Sequence, residues 1–324
     1  MNAVVDPEGP RLTGLDSNPI PEGARAGWVR TPDNKRLRYA TFPKTAGAAK
    51  GTICLVGGRT EYIEKYFETI TDFQKRGFQV ATFDWRGQGG SDRLIRNRRL
   101  GHVRNFDDYW VDLKTFHASI LLPDCPAPYY LVGHSMGGLV SLYAGMRDRM
   151  MFERIFVSSP MVGLDGLPFS HRTMGRITRT LSTLGLGQLP VGRGAEDLPS
   201  ERAFGGNPLT SDFNRYMRTV RIWDERPDLI VGKPTLGWGA AAMRAMAGAQ
   251  SDGFPLSIKA PVLMLAAARD EVVSTSAIEQ LGLRMRTGRH AIIPAARHEL
   301  FMENDEIRAQ VFAAFDAFVT EQSG

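Results

Sequence analysis

In the stretch YYLVGHSMGGLV, residues 129–140, an uncharged hydroxyl, Ser135, stands between a glycine-flanked histidine and two further glycines. A serine oxygen attacks a carbonyl only with help: a base to take its proton, a carboxylate to orient that base, and donors for the oxyanion that forms. Tyr129 to Val132 read as a buried strand and GGLVSLYAGM as the start of a helix. Gly133-His134-Ser135-Met136-Gly137 therefore falls on a strand-to-helix turn, the G-x-S-x-G of a nucleophile elbow. Such a turn strains its central residue so that the Oγ is exposed, and flanking glycines keep side chains out of the strand and helix. The same five-residue pattern also occurs in ordinary glycine-rich turns, so the rest of the chain has to decide.

Candidates for the other groups are present. Asp270 follows the apolar strand PVLMLAAAR, at the carboxyl end of a sheet, the edge on which an elbow serine sits. His298 lies beyond the strand HAIIP, in the loop AARHELF ahead of the last helix, and is the one histidine of six placed past the acid in a loop that follows a strand. The competing readings are a helix cap for Asp270, with its neighbour Glu271 as the acid, and a surface position for His298. His134 reads as a packed elbow residue, and His290, which opens a strand, as structural.

These residues need a frame to bring them together. ARAGWVRT and KRLRYATF read as a hairpin around Pro32-Asp33-Asn34, followed by the buried strand GTICLV. IEKYFETITDFQKR carries Ile63, Tyr66, Phe67, Ile70 and Phe73 on one helical stripe, and Gly77 stops it before the strand FQVATF. A helix over about 107–121, the elbow strand, RIFVSS, PVLMLAAA, HAIIP and a last helix, NDEIRAQVFAAFDAFVT, complete the pattern. Alternating strands and helices predict an α/β fold, a mostly parallel central sheet with helices on both faces. Residues 160–253, rich in glycine and proline and without a strand candidate, read as an inserted helical cap. The expected division is a flexible arm over 1–23, a core of 24–159 and 254–324, and the cap.

Composition narrows the function. At 324 residues, 43% hydrophobic and 23% charged, the chain has ordinary globular content. Its formal charge of +5 comes without zinc-finger spacing or an aromatic-basic RNA motif, so nucleic acid is not an expected partner. Residues 125–146 are uncharged, but Pro126, Pro128, His134, Ser135 and their glycines argue against a membrane span. The first residues have acids and prolines where a signal peptide needs a basic start and an apolar run. Cys54 and Cys125 show no disulfide framework, which points to a reducing, cytoplasmic setting. DWRGQGGSD is spaced like a phosphate cradle, yet no G-K-S/T ending or G-x-G-x-x-G accompanies it.

GHSMGG, ARDEVVS and RHELFMENDEIRAQV, with GGRTEYIEKY, FDWRGQGGSDR and LGHVRNFDDYWVDL, resemble the α/β-hydrolase group of bacterial lysophospholipases, monoacylglycerol lipases and serine aminopeptidases. The resemblance runs over roughly residues 28–320 and is weakest in the cap. It implies the triad order Ser135, Asp270, His298, a structural role for DWRGQGGSD, and oxyanion donors at the backbone N–H groups of Arg59 and Met136. It also implies a serine esterase acting through an acyl-enzyme on a lipid with one acyl chain, a lysophospholipid in the first place and a monoacylglycerol or small ester as the alternative, with no metal or cofactor. One departure stands out. Monoglyceride lipases of the group usually carry His-Gly after the third strand, where this chain has Gly57-Gly58-Arg59, so Gly58 and Arg59 are candidate substrate contacts. Arg59 is read either as aimed at an anionic substrate group or as solvated.

Two surfaces bear on the substrate. Arg93, Arg96, Arg98, Arg99 and Arg104 face a single acid, Asp92, in SDRLIRNRRLGHVR, read as a solvated loop or as a peripheral contact with anionic lipid at the inner face of the membrane. In the cap, Met161, Leu164, Phe169, Leu184, Leu186, Trp238, Met243 and Met246 are candidates for an acyl-chain tunnel, with Trp238 the first choice as a substrate wall. The rivals are an aminopeptidase, which needs an acidic cluster for the free amine, and a catalytically silent binding protein on the same fold.

Overall fold

The computed structural model describes residues 9–165, 171–191 and 201–320. Eight strands, β1 Arg25–Arg30, β2 Arg36–Phe42, β3 Thr52–Val56, β4 Gln79–Phe83, β5 Tyr129–His134, β6 Arg154–Ser158, β7 Val262–Ala267 and β8 Gly288–Ile293, form one sheet in the order β1-β2-β4-β3-β5-β6-β7-β8. The β1-β2 hairpin is antiparallel and pairs antiparallel with β4; every pairing from β4 to β8 is parallel. Parallel strands covered on both faces must be apolar throughout, and β3 and β7 are buried at every position. Their residues alternate between two cores: Cys54, Val56, Met264 and Ala266 pack in one, Ile53, Leu55, Leu263 and Leu265 in the other.

The helices are α1 Phe67–Lys75, α2 Asp107–Phe116, α3 Leu122–Asp124, α4 Ser135–Arg147, α5 His171–Leu181, α6 Phe213–Glu225, α7 Leu236–Ala249, α8 Phe254–Ser257, α9 Thr275–Arg284 and α10 Asp305–Thr320, of which α1, α2, α4, α9 and α10 pack on the sheet. The stripe Ile63, Tyr66, Phe67, Ile70, Phe73 is buried as its spacing requires, although it begins as a tighter 3₁₀ turn over Ile63–Tyr66. It meets Val311, Phe312 and Phe315 of α10 in the second core. The helix expected over 107–121 is α2 continued by a wider π turn, His117–Leu121.

Between β6 and β7 the chain leaves the sheet. The described residues of this insertion carry α5, α6 and α7 and no strand beyond isolated pairings such as Pro190 with Thr235. Trp238, Met243 and Met246 of α7 share the first core with Met136 and Leu139 of α4, so the insertion is packed into the body of the protein. Within the segment expected to be a flexible arm, residues 9–23 lie against the surface. Asn18 is buried and donates to the Glu64 carbonyl at 2.9 Å, and Leu15 packs on a cluster containing Trp223 and Ile230 of the insertion.

Candidate active site

The turn after β5 holds Ser135 at φ +50°, a left-handed conformation that costs a non-glycine residue about 1–3 kcal/mol and that a tightly packed turn can sustain. Packing here is close. A Cβ on Gly137 would lie 2.4 Å from the Gly57 carbonyl oxygen, and one on Gly58 would lie 3.1 Å from the Ser135 Cβ. The elbow and the loop after β3 therefore touch through backbone, which only glycine permits.

Asp270 leaves the end of β7 and His298 the loop after β8. His298 Nε2 lies 3.0 Å from Ser135 Oγ, and His298 Nδ1 lies 2.8 Å from Asp270 Oδ2. The other carboxylate oxygen, Oδ1, accepts the backbone N–H groups of Val272 and Val273, both at 2.9 Å. An ionised carboxylate can only accept, so the imidazole proton sits on Nδ1 and Nε2 is left free to accept from the serine hydroxyl. Burial pushes the Asp270 pKa up, but the hydrogen bond and charge of His298 and the two backbone donors outweigh it and hold the carboxyl below its usual range. The orienting group thus stays ionised at neutral pH. Glu271 is exposed on the cavity wall, and the contact to His298 is made by Asp270.

The loop Gly57 to Thr60 is held from both sides. Trp85 Nε1 donates to the Gly57 carbonyl at 2.8 Å, and Gln88 accepts from Thr60 N–H at 2.6 Å while donating to the Gly58 carbonyl at 3.3 Å. Gly58 N–H donates to the Glu61 carboxylate. These bonds leave the Arg59 N–H without an acceptor among the described residues. Met136 N–H, in the first turn of α4, has no intrahelical acceptor either. The glycine-rich DWRGQGGSD segment supplies this support, and Asp84 Oδ2 inside it accepts Gly90 N–H at 2.7 Å and Arg38 Nε at 2.6 Å.

Two histidines share the site with different environments. His134 is buried, with Nδ1 3.2 Å from the Ser158 carbonyl. Burial is the main cause that lowers its pKa to about 4, helped by the His298 and Lys65 charges against the pull of Glu61, so it is neutral at pH 7.

A cavity of about 630 Å³ opens over Ser135 and His298. Gly58, Arg59, Met161, Leu164 and Trp238 line it, as the sequence suggests. The structure adds Leu209, Trp223, Val231, Val272 and Val273, which carry no local signal in the sequence. Other tunnel candidates lie elsewhere. Leu184 and Leu186 are 69% and 40% exposed on the outside of the insertion, and Met243 and Met246 are buried in the core. Phe169 lies outside the described residues. Trp238 is fixed by its indole N–H, which donates to Tyr109 Oη at 3.1 Å. Arg59 is neither solvated nor free: Nη1 donates to the Gly232 carbonyl at 2.6 Å and the guanidinium lies 5.7 Å from the Trp238 ring centroid. Burial pulls its pKa down to about 10, against the raising influence of Tyr109.

Arg93 likewise leaves the solvated set, because it donates to the carbonyls of Arg98 and Asp228 at 3.1 and 2.9 Å. Arg96, Arg98 and Arg99 are exposed. Among the described residues no group of three His, Cys, Asp or Glu side chains could hold a metal ion, and no helix is long and apolar enough to cross a membrane.

Comparison with known proteins places the chain in a family. The sequence model of the family described as "Serine aminopeptidase, S33" matches residues 47–305. The chain is 31% identical to lysophospholipase L2 of Escherichia coli over 300 residues, 88% of this chain and 84% of the relative. It is 28% identical to a probable lysophospholipase L2 of Haemophilus influenzae over 90% of each chain. Among solved structures, a soluble variant of the monoglyceride lipase of Saccharomyces cerevisiae, in complex with a substrate analogue, superposes with a TM-score of 0.71 at 18% identity. That match covers 92% of this chain and 96% of that one.

Proposed function

The chain belongs to the serine aminopeptidase S33 family of α/β-hydrolases and is a carboxylic ester hydrolase, and from that premise we propose that it cleaves the acyl ester of a lysophospholipid through an acyl-enzyme on Ser135. The observation that carries this reading is the unbroken hydrogen-bond chain Ser135–His298–Asp270 at the floor of a cavity whose wall holds the cations Arg59 and Lys233 beside Leu164, Trp223 and Trp238. In this reading His298 takes the hydroxyl proton as Ser135 attacks, and Asp270 steadies the imidazolium. The N–H groups of Arg59 and Met136 receive the oxyanion; His298 then protonates the leaving alcohol, and a water molecule, activated the same way, releases the fatty acid. The apolar wall suits one acyl chain and the two cations a phosphate-bearing head. The names of the Escherichia coli and Haemophilus influenzae relatives support the same substrate class.

Purified protein assayed on lysophospholipids, monoacylglycerols, short esters and aminoacyl amides is expected to turn over the lysophospholipids fastest. Faster monoacylglycerol hydrolysis at every salt concentration would overturn the head-group assignment. An aminopeptidase is the second reading, favoured by Asp165 and Glu271 on the cavity wall, where a free amine would need carboxylates. Fastest release from the amides would select it.

The exposed arginines belong to the same reading as a contact with anionic lipid. Gly232 N–H donates to the Arg99 carbonyl at 2.7 Å and Gly101 N–H to the Lys233 carbonyl at 3.0 Å, so the arginine loop is stitched to the segment lining the cavity. Replacing Arg96, Arg98 and Arg99 together with glutamine is expected to lower activity on anionic vesicles by about 100-fold, since each basic residue at such a surface contributes about 1 kcal/mol. Activity on a neutral soluble ester stays unchanged, and the vesicle effect shrinks as salt screens charges beyond about 8 Å. Equal loss on both substrates would sink the lipid contact.

A further inference from the structure

Beneath the catalytic floor lies a group of buried charges that the chemistry above does not use. Lys65 Nζ lies 2.9 Å from Glu61 Oε1 and 2.6 Å from Glu299 Oε1, and all three side chains are at most 10% exposed. The two carboxylates sit on different loops. Glu61 ends the oxyanion loop, where Oε2 accepts from Gly58 N–H and, at 2.6 Å, from Tyr66 Oη. Glu299 is the residue after His298, and its backbone N–H donates to the Leu209 carbonyl at 2.8 Å.

We infer that Lys65 is a positioning residue for catalysis: its ammonium ties the loop that presents the Arg59 N–H to the loop that presents His298, and so sets the distance between oxyanion donor and base. The inference rests on the proposed serine mechanism. Three features of the molecule support it. The tie joins segments 234 positions apart, Lys65 and Glu299, which no local backbone pairing connects. A single ammonium between two buried carboxylates is held from both sides, and its removal leaves both carboxylates without a counter-ion. Glu61, which reaches Lys65 through one oxygen and Gly58 through the other, transmits any shift of the ammonium to the Gly57–Gly58 peptide, the neighbour of the unit that carries the Arg59 N–H. Burial pushes the Glu61 pKa up, but the charge of Lys65, that of His134 once protonated in acid, and the bond from Tyr66 overcome it and hold the carboxylate at about 2, so Glu61 is ionised at neutral pH.

The test uses the full chain and a neutral soluble ester. Lys65→Met, similar in length and uncharged, is expected to lower kcat by about 10- to 100-fold, the effect of a displacement near 1 Å in a reacting group, with KM changed by less than about threefold. Glu61 loses the charge that holds its pKa down against burial, so its pKa rises and the pH dependence of kcat/KM in this variant gains an ionisation that wild type lacks. Lys65→Arg, which keeps the charge and can reach both oxygens, recovers most of the loss. Should Lys65→Met fail to fold, Glu299→Gln cuts only the histidine side of the tie and is expected to lower kcat by about tenfold at unchanged KM. Unchanged kcat in a folded Lys65→Met or Glu299→Gln protein, or a pH profile identical to wild type, overturns the inference. Full activity in Ser135→Ala would instead overturn the mechanism on which it rests, so the two failures are distinct.

Discussion

Asp270→Asn is expected to lower kcat/KM on a soluble ester by on the order of 10⁴-fold while the fold is kept. The reason lies in how the two carboxylate oxygens are used. Oδ1 accepts the N–H groups of Val272 and Val273, so an asparagine would place its carbonyl oxygen there and turn its NH₂ toward His298 Nδ1. A donor at that point forces the imidazole proton onto Nε2, which then faces the Ser135 oxygen as N–H and can no longer accept. Glu271→Gln, by contrast, alters an exposed side chain on the cavity wall, and its rate stays within about threefold of wild type. Steady-state rates of the two variants settle the assignment, because a reversal of the pattern would move the acid to position 271.

Ser135→Ala is the second large effect. Turnover falls at least about 10³-fold, since no other hydroxyl stands 3.0 Å from His298 Nε2 among the described residues. Alanine meets the same left-handed backbone with a smaller side chain, so the thermal midpoint stays within a few degrees. A fluorophosphonate probe is expected to label wild type and leave the variant unlabelled; labelling of both to the same extent would place the nucleophile elsewhere.

What could be read from the sequence follows how local each signal is. Ser135 announces itself through a turn whose glycines are required by contacts within a few residues, and Asp270 and His298 each follow a recognisable strand. The buried stripe of α1 and the alternating faces of β3 are likewise properties of short periodic segments. The supports of the loop Gly57 to Thr60 were not legible. Gln88 and Trp85 reach it from a loop 28 residues on, and Lys65 meets Glu299 from the far end of the chain. Nothing in the spacing of a lysine and a glutamate foretells such a pairing. The insertion shows the same limit in its apolar residues: Leu184 and Met246 are similar in hydrophobicity, yet one faces outward at 69% exposure and the other is fully buried. Composition supplies the apolar mass, and only tertiary packing decides which side of a helix receives it. Arg59 was open between two readings because its partner, the Gly232 carbonyl, is a backbone atom on the insertion.

The insertion between β6 and β7 also has a folding consequence. Pairing β6 with β7 requires closure of the loop 159–261, whereas β3 and β4 close a far shorter one. Closure entropy grows only with the logarithm of loop length, so doubling the insertion would cost about 0.6 kcal/mol. That is less than the net contribution of one ordinary hydrogen bond, about 1 kcal/mol. Exposed residues can therefore be added there at little entropic cost to the sheet, whereas the insertion's core members, Trp238 among them, cannot be removed so cheaply. The kinetic side is different. The loops after β7 and β8 carry Asp270 and His298, and contacts across a long separation form slowly. During refolding, α1, α2 and α4 with β3, β4 and β5 are expected to assemble first, with Ser135 on a formed elbow ahead of its partners. Recovery of esterase activity then lags behind recovery of helical signal, with the lag set by docking of the chain beyond residue 261.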